Sequence, residues 1–156
     1  MNIYNLLDPS TILANIEVKD KNDLLDRLVN LLSNAVDDSQ LEDIRDAVFD
    51  REAIMSTGVG KGLAIPHGKA KSIDKNLAGF ALLKTPVDFD SIDDEPVKMV
   101  FLLVGPNKKN NLHIKLLSRI SRLMNSSEFR NRLTECESAE EIHETFKKEE
   151  EKYFSN

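Results

Sequence analysis

The sequence is short of cysteine, of basic charge and of long apolar runs, and each shortage excludes something. One cysteine, Cys136, in 156 residues rules out a disulfide within the chain and a multi-cysteine zinc site. No apolar stretch approaches the roughly 18 residues that mark a membrane-spanning helix. The N-terminus, Met1-Asn2-Ile3-Tyr4-Asn5, lacks the basic stretch and apolar core of a secretory signal. These absences together point to a cytoplasmic protein. No linker rich in Gly, Ser or Pro and no repeat divides the chain, so residues 1–156 read as a single domain. Lys plus Arg total 21 against 27 Asp plus Glu, a formal net charge of −6. Nucleic-acid binding domains carry the opposite balance. Lys108, Lys109, Lys115, Arg119 and Arg122 read as an exposed basic face.

What is present is an ordinary globular mixture, 40% hydrophobic and 31% charged, long enough to bury a sizeable core. Leu24, Leu25, Leu28, Leu31, Leu32 and Ala35 recur at helical spacing and predict a helix over Asp20 to Val36. Ser39-Gln40-Leu41-Glu42 has the form of a capping box opening a second helix, carrying Leu41, Ile44, Ala47 and Val48 inward and ending near Arg51. Leu63 to Gly68 reads as a short strand running into a turn. Leu77–Leu83 and Val97–Val104 have strand length, the second nearly continuous and covered on both faces. Val87-Asp88-Phe89-Asp90 reads as an edge segment before an acidic turn. Leu112 to Met124, Ser127 to Leu133 and a segment capped at Ser138 predict helices, and Lys147 to Lys152 reads as a solvated helix end. The fold class is α/β, a mixed central sheet of about five strands flanked by helices.

The segment from Arg51 to Gly68 concentrates the chemistry. Histidine is the side chain whose neutral form is available near pH 7 as a nucleophile. Pro66 fixes the backbone before His67, and Gly68 allows the chain to turn after it. Ser56, Thr57 and Gly58 open a glycine-rich run, Thr57 to Gly62. Its N–H groups can form an anion-binding nest, or it can be a tight hairpin. No Gly-Lys-Ser/Thr follows at Walker A spacing, and Leu63 stands where a dinucleotide fingerprint needs glycine. Arg51 is a candidate for a forked contact to phosphate oxygens. His113 lies at a helix start, where the dipole favours an anion and a neutral imidazole. His143 reads as a surface residue and Cys136 as inert. Asp88, Asp90, Asp93, Asp94 and Glu95 lack the glycine and distant glutamate of a calcium loop, so no metal site is expected.

Ala64-Ile65-Pro66-His67-Gly68, preceded by Ser56 to Leu63, resembles the active-site signature of enzyme IIA of the bacterial phosphotransferase system, fructose–mannitol class. Arg51-Glu52 stands where that family has its arginine, and His113 matches its second histidine. The likeness runs from about Leu6 to Phe146. Thr85 to Val97, and the absence of an attached IIB or IIC domain, look most like the nitrogen-regulatory branch. The resemblance implies a five-stranded mixed sheet flanked by helices. It implies a phosphocarrier that accepts a phosphoryl group on His67 from phosphohistidine of HPr or its nitrogen-branch counterpart. His113 would support through a hydrogen bond, and Arg51 would stabilise the phosphoryl group. The backbone near Ser56, Thr57 and Gly58 would bind phosphate, and no metal, nucleotide or other cofactor is needed. Onward partners would be regulated proteins of nitrogen/potassium metabolism, or a IIB domain in a sugar-specific relay.

Overall fold

The structure, a computed structural model, describes residues 2–108 and 111–154. In chain order it comprises β1 (Ile12–Ile16), α1 (Lys21–Asn30), α2 (Asp38–Ile54), β2 (Gly58–Gly60), β3 (Leu63–Ala64), β4 (His67–Ala70), β5 (Leu77–Val87), β6 (Val97–Pro106), α3 (Leu112–Met124), α4 (Ser127–Thr134) and α5 (Ala139–Phe154). The sheet order is β1-β5-β6-β3-β2, with β4 also on β6. β5 runs antiparallel to β6, whereas β3 and β4 both run parallel to it. Leu63 and Ala64 sit opposite Met99 and Val100, and His67 sits opposite Leu103. β3 and β4 are therefore one strand position, interrupted at Ile65-Pro66. Proline has no N–H to give the ladder, yet its carbonyl still accepts from Leu103 N at 3.1 Å.

Strand alternation splits the core into two halves. Met99, Phe101 and Leu103 face α3, α4 and α5, while Val100, Leu102 and Val104 face α1 and α2. On the first face Phe146 meets Phe80, Phe101 and Phe129 edge-on, with ring centroids 5.1, 5.7 and 5.2 Å away. Such edge-to-face contacts add to the burial of the rings. The mixed α/β sandwich is the architecture that the periodicity predicts.

Several boundaries differ. α1 ends at Asn30 rather than near Val36. Leu31 and Leu32 turn back on Leu28 and Val29 with tight bonds of 3.2 and 3.0 Å. Leu32 stays buried in a turn, so the apolar spacing outlives the helix, and Ala35 is exposed. The capping box at α2 is built by Asp37 and Gln40, not by Ser39 and Glu42; Gln40 Nε2 also donates to Ser72 O at 2.8 Å, which selects that register. The helix runs one turn past Arg51, to Ile54. Phe89 is fully buried rather than at an edge. The acidic turn is not merely solvated: Asp93 Oδ2 accepts from Lys61 N at 2.9 Å, and Ile92 N donates to Gly58 O at 3.2 Å.

The tail also departs from expectation. Glu149 and Glu150 are buried, ion-paired to Arg132 and Arg119. His143 is half-buried, its Nε2 donating to Tyr4 O at 2.9 Å. Of the expected basic face, Arg119 is held by Glu150 and stacks on Phe154 at 3.7 Å, while Lys108, Lys115 and Arg122 are exposed. Lys109 lies outside the described residues.

Candidate functional site

His67 opens β4, immediately after the interruption at Pro66. Its Nδ1 lies 2.9 Å from Ile65 O. A carbonyl oxygen only accepts, so Nδ1 carries the proton and Nε2 keeps its lone pair. The chain does not turn at Gly68; it continues as strand. A Cβ on Gly68 would lie 3.1 Å from the Ala47 carbonyl carbon and 3.2 Å from Val48 N. The glycine thus serves close approach of β4 to α2.

His113 sits in the first turn of α3, with 5% of its surface exposed. Its ring centroid is 6.1 Å from that of His67, the planes inclined at 54°. Burial first, then the neighbouring His67 and Lys69, pushes its pKa down from 6.5 to about 4. The ring is therefore neutral near pH 7. Neither of its nitrogens has a hydrogen-bond partner among the described residues, and a buried polar group without a partner costs free energy until it finds one.

Arg51 lies in the last turn of α2, half-buried, one turn beyond the Ala47 that abuts Gly68. Its Nη1 donates to Met55 O at 2.8 Å, and no bond joins it to either histidine. The expected nest is otherwise engaged. Thr57 N donates to Glu52 at 2.8 Å, Gly58 N to Ser56 Oγ at 3.0 Å, and Lys61 N to Asp93 at 2.9 Å. Ser56 Oγ itself donates to Phe89 O at 2.7 Å. The run is a hairpin whose donors are turned inward, so Ser56, Thr57 and Gly58 hold the loop rather than offer N–H groups to an anion. Among the described residues no group of three His, Cys, Asp or Glu is placed to hold a metal. Cys136 is buried, and burial raises its thiol pKa.

Over residues 5–149 the chain matches the family model for the phosphoenolpyruvate-dependent sugar phosphotransferase system, EIIA 2. It belongs to that family.

Two branches of the EIIA family are close to it. A nitrogen regulatory protein of Bradyrhizobium diazoefficiens is 34% identical over 143 residues, covering 92% of this chain and 93% of that protein. The PTS system fructose-specific EIIABC component of Bacillus subtilis is 37% identical over 142 residues, 91% of this chain, which spans only 22% of that larger protein. The crystal structure of nitrogen regulatory protein IIA-Ntr from Neisseria meningitidis superposes with a TM-score of 0.86 at 31% identity, covering 92% of this chain and 98% of that one.

Sequence reading missed the support behind the EIIA signature. Glu52 is buried and takes both donors of Thr57 as well as Lys21 Nζ, at 2.9 Å. One signal was available: Glu52 continues the buried stripe Ile44, Val48 along α2, and an acid on a core stripe needs a partner. Asn76 and His113 both border Gly105; no local pattern marks Asn76 or Gly105, because the sheet register brings them there.

Proposed function

We propose that this chain is a histidine phosphocarrier whose acceptor is His67 Nε2. The observation that carries the reading is the Nδ1–H bond to Ile65 O at 2.9 Å, which leaves Nε2 as the nucleophile. The Nε2 lone pair forms the new N–P bond. The bond from phosphorus to the histidine of an HPr-like carrier breaks, and its electron pair returns to the carrier's nitrogen. Both nucleophiles are imidazoles, so the exchange is nearly balanced, and the protein's task is alignment and charge stabilisation. The proton on His67 Nδ1 stays where it is. His113 donates to a phosphoryl oxygen, and Arg51 exchanges Met55 O for the phosphoryl group.

The surroundings fit a protein partner. Ile54, Met55, Val59 and Ile114 are large apolar side chains with 80, 69, 53 and 63% of their surface exposed. Ile54 and Met55 close α2, Val59 lies on β2, and Ile114 follows His113 on α3. A groove of about 450 Å³ opens between the hairpin and α3, with Ile65 and Met124 among its walls and Lys61, Arg122 and Arg130 at its charged positions.

The regulatory role, in nitrogen or potassium metabolism, is the reading favoured by the Thr85–Val97 segment and by the likeness to IIA-Ntr. Phosphorylation would add about −1.5 to −2 charges beside an exposed apolar rim and so change which proteins dock there. The second reading, a sugar-specific component passing the group to a IIB domain, is supported by the 37% identity to the fructose EIIABC component. Intact-mass spectrometry after incubation with phosphoenolpyruvate, enzyme I and HPr or its nitrogen-branch counterpart tests the acceptor. One acid-labile phosphoryl mass, absent in His67→Ala, is expected. No gain on folded protein with either carrier overturns the transfer. Onward transfer to a fructose-type IIB domain then separates the branches.

A further inference from the structure

Asn76 stands just before β5, and its Oδ1 is buried without a hydrogen-bond partner among the described residues. β5 and β6 pair with Leu77 opposite Val104 and Ala78 opposite Leu103, so the antiparallel register carries Asn76 to Gly105. A Cβ on Gly105 would lie 2.4 Å from Asn76 Oδ1 and 2.9 Å from His113 Nδ1. Two buried polar atoms, each without a partner, thus converge on the one position of β6 that has no side chain. Any other residue at 105 would wedge them apart.

We infer that Asn76 is a positioning residue for His113, its amide meeting His113 Nδ1 across Gly105 and deciding which ring nitrogen carries the proton. The inference rests on the phosphocarrier reading for its purpose, though not for its geometry.

An amide presents nearly the same shape with its oxygen or its nitrogen foremost, a half-turn of χ2 apart. With Nδ2–H toward His113, Nδ1 must accept, and the single proton of the neutral ring resides on Nε2. An Nε2–H is the donor that a phosphoryl oxygen on His67 requires. With Oδ1 toward His113, Nδ1 holds the proton, and a neutral ring would face the phosphoryl group with a lone pair. Before phosphorylation the ring is neutral, so the tautomer decides whether it can donate at all. After phosphorylation the new negative charge favours a second proton on His113. Asn76 can then turn its oxygen to Nδ1–H without releasing Nε2–H. A carboxylate at 76 could serve only a ring that carries a proton on Nδ1, and an alkyl side chain neither tautomer.

The test is the long-range ¹H–¹⁵N correlation of the ¹⁵N-labelled full chain, with the backbone amide spectrum as the control for folding. In the wild type at pH 7.5, His113 is expected as the neutral Nε2–H tautomer. Asn76→Ala should move it toward a mixture of tautomers. Asn76→Asp should move the proton to Nδ1 and raise the pKa of His113. Transfer onto His67 should slow in both, by less than the loss of His113 itself. An Nδ1–H tautomer in the wild type overturns the inference, as does a His113 tautomer and pKa indifferent to both substitutions. A chain that no carrier phosphorylates but that shows the Asn76-dependent tautomer loses the phosphocarrier reading and keeps this pairing.

Discussion

The carboxylate of Glu52 takes both donors of Thr57, the backbone N–H at 2.8 Å and the hydroxyl at 2.6 Å. Lys21 completes the group at 2.9 Å, its ammonium also lying 4.6 Å from the Phe89 ring centroid. Thr57 O in turn accepts from Ile65 N at 3.0 Å, and Ile65 O holds His67 Nδ1. Glu52 therefore anchors, two hydrogen bonds away, the carbonyl that holds His67 Nδ1. Glu52→Ala leaves two Thr57 donors without their partner and Lys21 with only the longer contact to Asp90, at 3.8 Å, and should cost about 3–5 kcal/mol. Glu52→Gln keeps one acceptor and should cost less. Urea denaturation measures both, and an alanine variant as stable as wild type would remove the clamp from the account.

His113, beside His67, responds to acid. Its folded pKa, about 4, lies below the ordinary 6.5. Between those values the unfolded chain binds a proton that the folded chain refuses, so stability falls as pH drops from about 6.5 to 4 and levels off below. This contribution should vanish in His113→Leu. Urea midpoints at pH 7.5, 5.5 and 4.5 in both proteins check it. His113→Ala should also slow transfer onto His67 by roughly a hundredfold if it removes one preorganised donor; an unchanged rate would exclude that role.

The elements that repeat were legible, and the two histidines that the sequence singles out stand with ring centroids 6.1 Å apart. Alternation and length mark β6, and the stripe Leu116, Ile120, Leu123 marks α3. What local pattern could not supply was the partner of each charged group. Glu149 and Glu150 look solvated because Lys147, Lys148, Glu151 and Lys152 surround them in sequence. They are buried because α5 turns that side toward Arg132 and Arg119, 17 and 31 residues away. Likewise Gly68 reads as a turn residue until β4 is seen packed on α2. Asn76 and Gly105 acquire meaning only from strand register.

Gly68→Ala tests that packing. The added methyl would stand 3.1–3.3 Å from three atoms of Ala47 and Val48, two of them backbone. Helix α2 would have to move, at a cost of about 1–3 kcal/mol, carrying Arg51 with it. The urea midpoint should fall, and phosphorylation of His67 should slow at temperatures where the variant remains folded. An unchanged midpoint would mean that α2 yields without strain.

Glu150 supplies the last prediction. One carboxylate oxygen accepts from Ile3 N at 2.6 Å, the other from Tyr4 N at 2.7 Å, and Arg119 Nε donates to the first at 2.8 Å. Ile3 is fully buried beneath this clamp, and His143 adds its bond to Tyr4 O. The N-terminal segment is thus tied to α5 by a charge with 1% of its side chain exposed. Glu150→Ala removes the acceptor for the buried N–H of Ile3 and the part-buried N–H of Tyr4, whereas Arg119 retains partial access to water. The loss should be local: amide exchange at Ile3 and Tyr4 should quicken by on the order of a hundredfold, the effect of about 3 kcal/mol at 1.4 kcal/mol per decade, while the amides of β6 exchange as before. Wild-type exchange rates at both positions would show that burial of Ile3 alone secures the segment.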